Sequence, residues 1–125
     1  MGRGLFLFGA VLIAGLLISA CNSHTELPRN PDQLINDGGP IYAQNCAVCH
    51  QTVGTGKPGQ VPKLAGNPIV TLEDPIPVIT IVVYGKGKMP AFGDKLDSNQ
   101  IAQVLSYIRN SWGNRAPAVD QRQIP

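Results

Sequence analysis

Cys46-Ala47-Val48-Cys49-His50 is the stretch on which the reading of this chain turns. Cysteines three positions apart stand on neighbouring turns of a helix and present both sulfurs to one side. With histidine next in line, C-x-x-C-H is the spacing at which two thiols capture the vinyl groups of a haem and the imidazole reaches its iron. C-x-x-C also occurs in thioredoxin-like redox sites and in zinc ribbons. A zinc ribbon needs two more soft ligands, and a redox fold needs a strand entering the motif and a long helix leaving it. Neither pattern surrounds these residues. Beyond the pair, the chain has one more cysteine, Cys21, and one more histidine, His24, both near an N-terminal apolar segment.

A haem iron with one imidazole needs a second axial ligand to pass electrons without binding small molecules, and a thioether raises its potential. Met1 and Met89 are the two methionines. Met1 belongs to a segment expected to be removed, which leaves Met89. A lone methionine is commonly core filler, but Gly85-Lys86-Gly87-Lys88-Met89-Pro90 reads as a surface loop.

Taken together, a helix ending in C-x-x-C-H, the P-x-L-x-G turn of Pro62-Lys63-Leu64-Ala65-Gly66 and a G-x-x-M-P loop resemble a class I, mono-haem cytochrome c over roughly residues 37 to 112. The resemblance implies an all-α fold of about three main helices around one covalently attached haem c. It places the thioether bonds at Cys46 and Cys49, the proximal iron ligand at His50 and the distal one at Met89. It also assigns to Pro62 the carbonyl that accepts the other imidazole N–H, a bond that fixes tautomer and ring orientation. Gly38, Tyr42, Val104 and Tyr107 match the positions at which that family crosses its first and last helices. The run Tyr107-Ile108-Arg109-Asn110-Ser111-Trp112-Gly113-Asn114 is similar to cytochrome subunits of membrane-bound bacterial dehydrogenases.

Met1-Gly2-Arg3-Gly4 followed by the apolar run Leu5 to Leu17 has the charged start and hydrophobic centre of an export signal. It is short for a permanent span. Ile18-Ser19-Ala20-Cys21 resembles a bacterial lipobox, in which the cysteine is acylated and becomes the new N-terminus. An ordinary signal peptide, or an uncleaved anchor with an incidental cysteine, accounts less well for the small residues before Cys21. Lipidation would attach more than one chain and so hold the domain stably at its membrane, on the periplasmic side. The polar stretch after it, up to Asn36 and including Pro28 and Pro31, reads as a tether. As a coil its reach is roughly 20 Å. The expected division is thus residues 1–20 signal peptide, 21–36 lipid-anchored tether, 37–112 cytochrome domain and 113–125 a tail without periodicity.

Loss of residues 1–20 leaves 105 of the 125, one small domain. Aromatics at 6% and abundant Gly and Pro supply little apolar bulk, and a haem plane would complete the core. Lys and Arg fall from ten to nine with Arg3 while eight Asp and Glu remain, a net +1. That excludes a strongly basic nucleic-acid binder. Lys57, Lys63, Lys86, Lys88 and Lys95 nonetheless fall in the segments expected around the haem, where together they would steer its exposed edge toward an acidic partner.

Three helices are expected. The first covers about residues 39–48, with Pro40 in its opening turn. The second starts at Asp74-Pro75 and carries Val78, Ile79, Val82 and Val83, a β-branched run for which a strand is the local alternative. The third, about 98–111, has a capping-box pair in Asp97 and Gln100 and an apolar stripe of Ile101, Val104, Leu105 and Ile108. Gln51 to Asn67 is a glycine-rich loop lying over one side of the haem.

The function these features imply is outer-sphere transfer of single electrons by a monomeric carrier, not an enzyme, between periplasmic or membrane redox partners, and the resemblance makes a dehydrogenase donor and an oxidase acceptor the candidates. A haem subunit fixed in a dehydrogenase or oxidase complex is the alternative. An open-iron sensor or peroxidase would require Met89 off the iron.

Overall fold

The computed structural model describes Met1 and residues 30–125, and the described residues are helical with no strand. The expected signal segment, Cys21 and His24 lie outside them. Four α-helices follow one another: α1 Pro31–Asn45, α2 Ala47–His50, α3 Ile76–Tyr84 and α4 Ser98–Arg109, with a short 3-10 turn at Gln121–Gln123. No helix among the described residues is long and apolar enough to cross a membrane.

The first helix begins earlier than the sequence suggested. Residues 31–36, assigned above to the tether, are its opening turns. Asn30 caps it, its side chain accepting from the Asp32 N–H at 3.0 Å, and Pro31 occupies the first turn, where no N–H is needed. A proline that looked like a breaker is a starter. Pro40 consequently stands inside the helix and not at its start, removing one internal hydrogen bond. What holds α1 in place is its crossing with α4. Gly38 meets α4 so closely that a Cβ there would lie 2.1 Å from the Gln103 carbonyl oxygen and 2.7 Å from the Tyr107 Cβ. Beside it the Gln103 amide donates to Asp37 at 3.2 Å.

Helix, not strand, is the outcome for Ile76–Tyr84. The Asp74 carboxylate accepts the Ile76 N–H at 3.0 Å, Pro75 leads in, and Val78, Ile79, Val82 and Val83 are buried. At α4 both halves of the capping box form, Gln100 N–H to Asp97 at 2.8 Å and Asp97 N–H to the Gln100 amide oxygen at 3.1 Å. Its burial extends well beyond the expected stripe to Ala102, Gln103, Ser106 and Arg109.

α1 covers Gln103, and the C-terminal segment covers Ser106 and part of Arg109. Residues 113–125 were expected to be a tail, yet they pack against α4. Val119 is fully buried and donates its N–H to the Ser106 hydroxyl at 2.9 Å, and Ile124 is buried further on. Burying one such valine contributes about 1.5–3 kcal/mol, enough to hold a segment that has no periodic pattern. The core formed by α1, α3, α4 and this strap packs on one side of the cavity in which the motif residues gather.

Candidate functional site

α1 passes directly into α2, with Cys46 at the junction donating its N–H to Tyr42 at 2.9 Å and accepting from His50 N–H at 2.9 Å. This continuous helical path sets Cys46, Cys49 and His50 on the cavity side. The chain then turns sharply: Gln51 has φ 65°, and its carbonyl is held by the Tyr42 hydroxyl at 2.6 Å. Burial, with the Cys46 charge next, pushes the Tyr42 hydroxyl well above its ordinary pKa, so it stays protonated and able to donate.

His50 is buried, and its Nδ1 lies 3.0 Å from the Pro62 carbonyl oxygen. A carbonyl only accepts, so Nδ1 carries the proton and Nε2 presents a lone pair. Among the described residues Nε2 has no hydrogen-bond partner. Pro62 is delivered by a tight turn in which Lys57 N–H donates to Val61 at 2.9 Å and Val61 N–H to Lys57 at 2.8 Å. The following residues are tied to the end of α4 by Asn114, buried at 4% exposure. Its amide donates to Leu64 and Ile108 at 3.1 and 2.8 Å and accepts from Gly66 at 2.7 Å.

Met89 enters from the opposite end of the chain's path. Lys86 and Met89 exchange backbone hydrogen bonds of 3.1 and 3.0 Å, and the loop is pinned to α3 by Phe92 N–H to Val82 at 2.9 Å and Gly93 N–H to Val83 at 3.1 Å. Met89 is half-buried and borders the same cavity as Cys46, Cys49, His50 and Pro62. That cavity has a volume of about 740 Å³ and a wall dominated by Leu64, Val78, Val82, Val104 and similar side chains. Its size is in the range of a cofactor site.

The donor set of two cysteines, a histidine with its Nδ1 committed and a methionine on one apolar cavity fits a haem. Burial, then the Cys49 charge, pushes the Cys46 thiol up to about 11, whereas redox-active C-x-x-C sites have depressed pKa values. Such a sulfur is protonated at neutral pH and sits against an apolar wall, as a neutral thioether would. No group of three or more His, Cys, Asp or Glu side chains placed to hold a metal ion occurs among the described residues.

Sequence reasoning overlooked Asn114, Gly56 and the Tyr42 hydroxyl. Their contacts join residues more than one helical turn apart, which no local pattern reveals. The Tyr42, Tyr107 and Trp112 rings pack together with centroids 5.0 to 5.7 Å apart, so Tyr107 and Trp112 back the tyrosine whose hydroxyl holds Gln51, the residue after His50.

Comparison with known proteins agrees. A family model described as cytochrome C oxidase, cbb3-type, subunit III matches residues 33–108. Cytochrome c-552 of Thermus thermophilus is 38% identical over 93 residues, covering 62% of this chain and 70% of that protein. Cytochrome c6 of Diacronema lutheri is 33% identical over 82 residues, covering 63% and 98%. The cytochrome c subunit of the quinone alcohol dehydrogenase of Gluconobacter oxydans (strain 621H) is 37% identical over 93 residues, 66% of this chain and 20% of that protein. The chain thus spans about a fifth of the length of the dehydrogenase subunits it matches. With the C-x-x-C-H helix and an all-helical fold already in place, the chain belongs to the cytochrome c oxidase, cbb3-type, subunit III family of class I cytochromes c, electron-carrying domains that hold haem c covalently, here through Cys46 and Cys49.

Proposed function

We propose that this chain carries single electrons with His50 and Met89 as the two axial ligands, as a lipid-anchored protein of the bacterial periplasmic side serving membrane-associated redox partners. The observation that supports it best is the hydrogen bond from His50 Nδ1 to Pro62 at 3.0 Å, which leaves Nε2 as the ring's donor atom on a residue lining the cavity that Met89 also borders. When bound, the haem supplies a one-electron Fe(III)/Fe(II) couple. The chain's own work is positional. Cys46 and Cys49 hold one rim, Pro62 fixes the imidazole plane, and the α3-anchored loop keeps Met89 in place. The apolar wall excludes water and disfavours the more highly charged oxidised state, which with a thioether ligand raises the potential.

Anchoring rests on Ile18-Ser19-Ala20-Cys21 and the apolar run before it. Partner choice is supported by similarity to cytochrome subunits named for alcohol, gluconate and fructose dehydrogenases. That similarity also favours a second reading, a haem subunit held permanently in such a complex, which co-purification of a large dehydrogenase after detergent extraction would establish. Brief docking over a small area by a monomer suits the carrier.

The test is spectroscopic. The oxidised protein is expected to show a far-red sulfur-to-iron charge-transfer band, which Met89→Ala abolishes while opening the reduced iron to carbon monoxide. Rapid carbon monoxide binding by the wild type would refute axial ligation by Met89. His24→Ala should leave the spectrum unchanged. The mass of the mature protein reports haem attachment and acylation of Cys21 together.

A further inference from the structure

Gly56 touches the backbone of both residues joined by the hydrogen bond that orients His50. Its N–H donates to the His50 carbonyl at 2.9 Å. On its other side, a Cβ would lie 2.6 Å from the Pro62 carbonyl oxygen and 2.4 Å from that of Val61. Both oxygens are committed, Pro62 to His50 Nδ1 at 3.0 Å and Val61 to Lys57 N–H at 2.9 Å. They belong to backbone, so neither swings aside as a flexible side chain does. We propose that Gly56 is a positioning residue for the haem, its bare Cα letting the Lys57–Val61 turn press the Pro62 carbonyl onto His50 Nδ1 and thereby setting the reduction potential. This rests on His50 being the iron ligand.

The physical link is ligand basicity. A carbonyl accepting the Nδ1 proton draws it away from the ring and makes Nε2 a stronger donor, which favours the oxidised iron. Lengthening that bond weakens the donor and shifts the balance toward the reduced iron. A side chain at position 56 does so without touching the cavity, since Gly56 is not among the residues lining it.

Gly56 has φ 64°, so alanine there also strains the backbone. Gly59 separates the two effects, because it has φ 72° and nothing within 4 Å of its Cβ position. The experiment uses holoprotein matured with haem and compares wild type, Gly56→Ala and Gly59→Ala by reduction potential and by the proton resonance of the His50 ring N–H. Gly56→Ala is expected to raise the potential and move the resonance upfield, while Gly59→Ala leaves both at wild-type values. If Gly56→Ala does not mature, insertion of one glycine between Pro58 and Gly59 replaces it. That insertion slackens the turn without adding bulk and should shift both readouts in the same direction. Equal shifts in Gly56→Ala and Gly59→Ala, or an unmoved resonance in Gly56→Ala or in the insertion variant that replaces it, overturn the proposal. A wild type that matures without haem defeats the functional reading itself, whereas a normal wild-type spectrum with unmoved variants defeats this inference alone.

Discussion

Arg109, in the last turn of α4, donates from Nε to the carbonyl of Pro117 at 3.0 Å, so a fully buried guanidinium ties the last helix to the strap that follows it. Its remaining nitrogens donate to Val70 and Leu72, each at 2.8 Å, with Glu73 more distant at 3.4 Å. One planar fork therefore joins three segments. Burial lowers its pKa, and the nearby charges of Glu73 and Asp74 oppose that shift.

Replacing Arg109 with leucine fills much of the volume but leaves the Val70, Leu72 and Pro117 carbonyls without their donor. The expected loss is about 2–4 kcal/mol, read as a lower denaturant midpoint of the holoprotein. Lysine at 109 should recover little, because one ammonium does not reproduce the fork. A wild-type midpoint for Arg109→Leu would show that the carbonyls find other partners.

Asn114 presents a similar case closer to the site. It bridges Leu64 and Gly66 to the end of α4, and Pro62 lies two residues upstream. Asn114→Ala should cost about 1–3 kcal/mol for the groups left unpaired. It should also speed hydrogen exchange at the Gly66 amide, the group that loses its acceptor. Unchanged exchange at Gly66 would contradict this role.

How far these features are legible in the sequence depends on the range of the interactions that create them. The Asp97–Gln100 box, the Asp74 cap and the C-x-x-C-H helix are made by residues within four positions of each other, and they can be read directly. The His50–Pro62 bond spans twelve positions and was reached through resemblance to a family. The start of α1 was hidden because Pro31 serves equally as breaker and as first-turn residue, and the choice depends on Asn30 turning its side chain onto Asp32. The strap at 113–125 was hidden because Val119 and Ile124 are too few to form a period. The close approach at Gly56 leaves no trace in composition, since a glycine that yields space looks like any loop glycine.

The strap carries an acid-sensitive lock. Asp120 accepts from the Arg122 backbone N–H and from its guanidinium, and these bonds lower its pKa from 3.8 to about 2. Because the folded value lies below the unfolded one, the stabilisation is present above the unfolded value and is lost as pH falls through about 2. The pair is exposed, so the global effect is small. It should be read locally, as an Asp120 carboxyl carbon titrating near 2 by NMR and faster exchange of the Arg122 amide below that pH. An ordinary carboxylate titration would remove the lock.

The rim of the cavity should govern how charged reagents reach the haem edge. Lys57, Lys86 and Lys88 line it, and no Asp or Glu among the described residues does, although the mature chain as a whole would carry only +1. Local charge therefore outweighs net charge, and these side chains are exposed. Screening at 0.1 M salt acts over about 10 Å, so the attraction is felt at low ionic strength and fades above it. Oxidation of the reduced protein by an anionic reagent such as ferricyanide is expected to slow as salt rises, and oxidation by a cationic cobalt complex to quicken. The triple variant Lys57→Glu, Lys86→Glu, Lys88→Glu should reverse both trends, with a rate loss toward ferricyanide of about tenfold or more at low salt. Rates that ignore salt in the wild type would mean that electrons leave by another face of the molecule.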